Sequence, residues 1–136
     1  MDKILDIATL AEKYCETLYF VNADVVTEIF HPDAKLFCNT NDECGTMGLS
    51  EYLDIIKNRT SPSERGDRRE EEIVSINVPS PTTAHLRVKE VFLPKLFTDE
   101  LTLIKQDSKW LIVAKIWHFE IIPELHNHRD LRDKHE

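Results

Sequence analysis

At 136 residues the chain has room for one core, burying about two thirds of its unfolded surface, and not for a second domain. Lys and Arg number 17 against 25 Asp and Glu, a formal charge of −8; a nucleic-acid or anionic-membrane partner would need a basic face, so neither is expected. No apolar run is long enough to span a bilayer.

Cys15, Cys38 and Cys44 are an odd set with no CxxC spacing, and Met1-Asp2-Lys3 leads into an amphipathic pattern rather than a secretion signal. A cytoplasmic protein is expected. From Asp2 to about Val21, Ile4, Ile7, Ala8, Ala11, Cys15 and Leu18 recur at helical spacing, and Leu5, Tyr14 and Tyr19 widen the stripe. That spacing predicts a long first helix in need of a surface to cover. Asp24 is placed to cap a short second helix through Phe30, which Pro32 ends because the residue before a proline avoids the helical region. Ala34 to Cys38 then reads as extended, Asn39 to Glu43 as a solvated hairpin tip, and Thr46 and Met47 as a short strand. A calcium loop starting at Asn39 would need glycine and glutamate where Cys44 and Ser50 stand. Ser50 is placed to cap a third helix running to about Asn58 on Tyr52, Leu53, Ile55 and Ile56.

After a loop from Thr60 to Gly66, four strands follow. Glu70 to Val78 alternates through Val74, Ile76 and Val78, with Glu72 expected close to Glu90. Thr83 to Leu93 alternates in the same sense through Leu86 and Val88. Turns of about two residues at Pro94-Lys95 and Asp107-Ser108 fold Leu96 to Gln106 and Lys109 to Glu120 back as a meander. In that register Glu90 lies opposite Asp99, Val88 opposite Leu101, Leu86 opposite Leu103, and Asp99 opposite Ile116. One apolar face, with Phe92, Phe97, Trp110, Ala114 and Ile116 on it, then surrounds Glu90, Asp99 and His118. Opposed side chains lie roughly 5 Å apart and diagonal ones about 7 Å, so the three ionisable groups share one neighbourhood. A bulged three-residue loop at Asp107 would instead bring Lys115 opposite Asp99. The first register leaves no lysine on the apolar face, and both stay open.

On the other face Val91, Leu93, Leu96, Ile104, Leu111, Val113, Trp117 and Phe119 form a larger apolar patch than a monomer exposes. A homodimer packed through Val91, Ile104, Val113, Trp117 and Phe119 is expected. Residues 1–120 make the domain and residues 121–136 a charged tail or short helix, with Pro123 suited to a first helical turn.

Phe30-His31-Pro32-Asp33-Ala34, Arg59-Thr60-Ser61-Pro62 with Arg65-Gly66, Ile73 to Val78, Phe97 to Leu103 and Trp110 to Lys115, in this order, resemble the lumazine-binding, SnoaL-like branch of the nuclear transport factor 2-like superfamily. The resemblance runs from about Leu5 to Phe119. It implies an α+β, cystatin-like cone, with three N-terminal helices packed on a curved, mainly antiparallel sheet and a cavity between them. Superfamily relatives include ketosteroid isomerase, scytalone dehydratase, limonene epoxide hydrolase, polyketide cyclases and the non-enzymatic transport factor, so the fold alone assigns no activity. The family pattern has Asp-Gly where this chain has Asp107-Ser108.

Asp99 is the leading catalytic candidate, because a carboxylate in the middle of an apolar strand face is costly unless paired, hydrogen-bonded or protonated. It either performs acid–base chemistry, as in the isomerase-type relatives it resembles, or binds a helix tyrosine or Lys115 and closes the cone. Glu90 would make a carboxylate pair with Asp99, or else sit at the wet mouth. His118 is a candidate base oriented by Asp99, or a partly exposed strand-end histidine. Tyr14, Tyr19, Phe92, Phe97, Trp110 and Ile116 are the candidate ligand contacts. His126 and His128 fall on opposite sides of a helix and His31 sits beside Pro32, so no metal is expected. No cofactor is expected. The function options are a cavity binding a small, largely apolar molecule, an isomerase-, dehydratase- or cyclase-type enzyme, and a dimerisation or scaffold module.

Overall fold

The computed structural model describes residues 3–40 and 45–122. Among these residues three helices, α1 (Lys3–Phe20), α2 (Ala23–Ile29) and α3 (Leu49–Lys57), pack on a six-stranded sheet. Its strands are β1 (Phe30–Cys38), β2 (Thr46–Gly48), β3 (Glu71–Asn77), β4 (Thr83–Phe92), β5 (Lys95–Gln106) and β6 (Lys109–Ile121), in the order β2-β1-β6-β5-β4-β3. Among the described residues only β1 and β6 pair in parallel. Helix α1 packs against β3, β4 and β6. Because β3 and β6 stand three strand spacings apart, roughly 14 Å, one helix about 10 Å wide touches both only if the sheet curls around it. The expected α+β cone is therefore the fold.

Ile7, Leu10, Ala11, Tyr14, Cys15 and Leu18 are the buried face of α1, whereas Ile4 and Leu5 are more than half exposed. The cap of α2 is Asn22, not Asp24: its side chain accepts from the Val25 amide at 3.4 Å. Helix α3 starts one residue before Ser50, with Gly48 at its cap and Glu51 Oε1 accepting the Gly48 amide. Strand β1 begins at Phe30 and runs through Pro32, which the sheet tolerates because pairing with β6 breaks between Phe30 and Lys35. Leu36, Leu86, Val88, Leu101, Leu103 and Ile112, all fully buried on the inner face, meet α1 and the ring of Phe30 in the core.

Cys15 is a free, buried thiol, while Cys38 is disulfide-bonded and so is not one of a set of reduced cysteines. No helix among the described residues is long and apolar enough to cross a membrane. The hairpin tip from Asn39 to Glu43 lies largely outside the described residues, as do Cys44 and the tail beyond Ile122 with His126 and His128.

Candidate active site

Two strand registers decide which side chains meet. Between β4 and β5 the turn falls on Leu93-Pro94 rather than Pro94-Lys95, so Val88 stands opposite Asp99, Leu86 opposite Leu101, and Glu90 opposite Phe97. The slide is by two residues, so every side chain keeps its expected face. Glu90 and Asp99 become diagonal neighbours instead of a direct pair. On β3 it is Glu71, not Glu72, that pairs with Glu90.

The β5–β6 hairpin turns at Asp107-Ser108 as expected. Both residues adopt positive φ, 51° and 65°, the two-residue geometry that glycine usually supplies. Further along, Leu103 pairs with Ile112 but Thr102 with Ala114, so Val113 is an extra residue in β6. A bulge of this kind reverses the inward and outward sense of everything beyond it. Asp99 consequently faces Trp117, and neither Ile116 nor Lys115, the two partners the sequence left open. Lys115, Trp117 and Phe119 turn inward; Ala114, Ile116 and His118 turn outward. Ile116 is 45% exposed beside Phe37 of β1. His118 is exposed, with Nδ1 at 3.0 Å from Thr40 Oγ1 and 3.2 Å from the Asn39 carbonyl, and it does not meet Asp99.

What the fold gathers around Asp99 is a cluster from four elements. Tyr14 of α1 donates to Asp99 Oδ2 at 2.5 Å. Lys115 of β6 sits 3.9 Å from the same oxygen and donates to the Tyr52 hydroxyl of α3 at 2.9 Å. Its ammonium lies over the rings of Tyr14, Tyr52 and Trp117 at 4.8 to 5.1 Å from their centroids. Glu90, Asp99 and Lys115 are all at least 95% buried. Glu90 is thus inside the cone rather than at a wet mouth.

The electrostatics follow from that burial. Loss of water, then the charge of Asp99 and a hydrogen bond with it, push the Glu90 carboxyl well above the usual range, and Lys115 pulls it back only in part. Among the described residues neither Glu90 Oε2 nor Asp99 Oδ1 meets a donor while both carboxyls are ionised. A proton on Glu90 supplies the missing donor. Burial also raises the Tyr14 phenol far above its ordinary value, reinforced by Asp99. For Lys115, burial works against the charge, yet Tyr52, Asp99 and Glu90 outweigh it and leave the amine above its ordinary value. The arrangement is the Asp99 carboxyl and a Glu90 carboxyl driven toward its protonated form, beside the Lys115 amine and the hydroxyls of Tyr14 and Tyr52.

A cavity of about 90 Å³ opens onto this cluster, lined by Glu90, Asp99, Lys115 and Tyr52 and walled by Phe92, Phe97, Trp117 and Ile55 among others, with Arg59 at its rim. Of the residues expected to touch a ligand, Phe92 and Phe97 line it and Tyr14 reaches it through Asp99. Tyr19 does not: its hydroxyl donates to the Asp67 carbonyl, with the Arg69 guanidinium over the ring. Trp110 is buried at the other end of the sheet, near Leu10, Ile29 and Lys109. Lys115 and a helix tyrosine, here Tyr14, are the Asp99 partners that the sequence offered as the alternative to acid–base chemistry, whereas Trp117 and the Tyr52 hydroxyl were not expected at the site. No group of three or more His, Cys, Asp and Glu suited to a metal ion occurs among the described residues.

Comparison with known proteins places the chain. A family model described as "Putative lumazine-binding" matches residues 2–118. A curated protein named aldolase FrzH, from a Cladobotryum species, is 29% identical over an alignment of 115 residues that covers 82% of this chain and 88% of that one. Among solved structures, an NTF2-like protein of unknown function from Shewanella baltica superposes with a TM-score of 0.73 at 24% identity, covering 88% of this chain and 93% of that one. A ketosteroid isomerase-like protein from Erwinia carotovora atroseptica gives a TM-score of 0.67 at 15% identity, covering 87% and 96%. Both structural matches speak to the fold alone. The chain belongs to the family described as "Putative lumazine-binding", and its fold is that of the NTF2-like proteins.

Proposed function

We propose that this protein is an enzyme that removes a proton from the carbon next to a carbonyl group, with aldol-type formation or cleavage of a carbon–carbon bond as its reaction class. The observation that carries this is that Asp99, Glu90 and the hydrogen-bonded Lys115–Tyr52 pair line one buried pocket, where loss of water and the charge of Asp99 favour the protonated form of Glu90. The aldolase name of the curated relative supports the same chemistry at the level of reaction class.

In this reading Asp99 is the general base, and its carboxylate takes the α proton. The electron pair of that C–H bond moves into an enolate, whose oxygen accepts hydrogen bonds from the Tyr52 hydroxyl or the Lys115 ammonium. The enolate carbon then attacks a second carbonyl carbon, and the resulting alkoxide recovers a proton from Glu90 or Asp99. Lys115 acts as a cationic donor. Its ammonium donates to the Tyr52 hydroxyl and lies 3.9 Å from Asp99 Oδ2. Proton exchange tests this directly: carbonyl compounds incubated in heavy water should gain α deuterium with the wild type and about 10²- to 10⁴-fold more slowly with Asp99→Asn. Equal rates for the two proteins would refute it.

The aromatic walls of Phe92, Phe97 and Trp117 favour a second reading, a non-catalytic pocket for a small apolar molecule. There Asp99→Asn weakens binding and no exchange occurs with either protein.

The expected homodimer is likewise proposed, on a revised face. Trp117 and Phe119 face inward and leave it, and Phe37 and Ile116, adjacent across β1 and β6, join Val91, Ile104 and Val113 on the outer side.

A further inference from the structure

We infer that the compound entering this pocket carries an anionic group, carboxylate or phosphate, which docks on Arg59 at the mouth while the carbonyl reaches Asp99; the inference rests on reading the inner cavity as the reacting site. Space is the first argument. The inner cavity, about 90 Å³, has room for the reacting end of a larger compound. A second cavity of about 260 Å³ adjoins it and shares Arg59, Phe92 and Phe97 with it. Only with that addition does the space reach the roughly 300–1,000 Å³ typical of small-molecule sites. The ligand therefore extends past Phe92 and Phe97 into the outer cavity.

Charge is the second argument. The outer cavity is lined by Arg59, Arg65 and Lys95 and by no carboxylate, in a chain where acidic residues outnumber basic ones 25 to 17. The three cations are not equally free. Arg65 is held by Asp67, with Nε and Nη2 at 3.0 and 2.5 Å from Oδ2. Lys95 rests its ammonium 4.4 Å from the centroid of the Phe119 ring. Arg59 lies just past the end of α3, its amide donating to the Ile56 carbonyl. Among the described residues no hydrogen bond or ion pair engages its guanidinium, which is the planar fork suited to carboxylate and phosphate. Deeper in, Asp99 is balanced by Lys115. An incoming anion thus meets positive charge at the rim and no uncompensated negative charge beyond it.

The test pairs anions with neutral counterparts: levulinate with methyl levulinate, and dihydroxyacetone phosphate with dihydroxyacetone, each titrated calorimetrically into wild type, Arg59→Gln, Arg59→Lys and Lys95→Gln. One anion, carboxylate or phosphate, should bind at least about tenfold tighter than its neutral partner and weaken with added salt. Arg59→Gln should erase that preference, and Arg59→Lys should keep part of it. Which pair shows the preference identifies the anion class. No anion preference in the wild type, no binding of either anion, or a preference that survives Arg59→Gln overturns the inference. Deuterium exchange on the same probes separates it from the catalytic reading. An Arg59-dependent preference without exchange keeps the anion site and retires the reaction. Equal exchange on acid and ester, lost in Asp99→Asn, keeps the reaction and retires the anion site.

Discussion

The Lys115 ammonium stands 3.9 Å from Asp99 Oδ2, and both side chains are at least 94% removed from solvent. A buried pair of this kind is a weak source of net stability, because desolvation of both ions offsets most of their attraction, yet removing one partner strands the other. Asp99→Asn should therefore destabilise the protein by about 3–5 kcal/mol, and Lys115→Met by a similar amount. The double variant should recover most of the loss. Urea unfolding of the four proteins forms a double-mutant cycle, and simple addition of the two single losses would show that the ions do not sense each other.

Tyr14 holds the other side of the same oxygen, at 2.5 Å. Tyr14→Phe removes a donor to a charged group and should cost about 1.5–3 kcal/mol. If this hydrogen bond also aims the Asp99 carboxyl at the substrate, α-proton exchange should slow in Tyr14→Phe. An unchanged exchange rate, with the stability loss present, would leave Tyr14 a purely structural partner.

Phe37 and Ile116 place two exposed apolar side chains side by side on the outer face, 42% and 45% accessible. Ile116→Lys puts a charge into the proposed dimer face without touching the core. Light scattering should report a dimer for the wild type and a monomer for the variant, with helix content unchanged. A wild-type monomer, or a variant that still pairs, would move the contact elsewhere.

Much of the fold was legible because its signals are local. The stripe of Ile7, Ala11, Cys15 and Leu18 fixes α1, and the alternation through Leu86, Val88 and Glu90 fixes the inner face of β4. Glu90 and Asp99 were legible for the same reason, since a slide of two residues leaves both facing inward. Lys115 was offered only as one possible partner of Asp99, by a bulge at Asp107, and the way it reaches the pocket was hidden by a single extra residue further along the strand. Val113 is an ordinary apolar strand residue, and nothing in its type marks a bulge, yet the bulge carries Lys115 and Trp117 into the site and takes Ile116 and His118 out. The sign that was available was Lys115 itself, a lysine inside an otherwise apolar run from Trp110 to Trp117. Tyr52 looked like a helix core residue, and its hydroxyl gained meaning only once Lys115 was beside it. The Asn22 cap was missed because Asp24, two residues on, is an equally good capping type.

Glu90 makes the cluster sensitive to pH in one direction. Burial and Asp99 raise its folded pKa, so the folded state holds this proton more tightly than the unfolded chain does. Below the ordinary glutamate value both states are protonated and the full stability is present. Above it the unfolded chain releases its proton first, and stability falls until the pH has passed the folded value. Tyr14 and Lys115 are raised too, but from ordinary values of 10.0 and 10.5, so they act only at alkaline pH. Urea midpoints measured as the pH is raised above the ordinary glutamate value should decline for the wild type. In Glu90→Gln, which keeps a donor facing Asp99 without a titrating proton, this part of the decline should vanish and the variant should overtake the wild type as pH rises. Parallel curves for the two proteins would mean that Glu90 is ionised in the folded state, and would remove it as the acid of the proposed reaction.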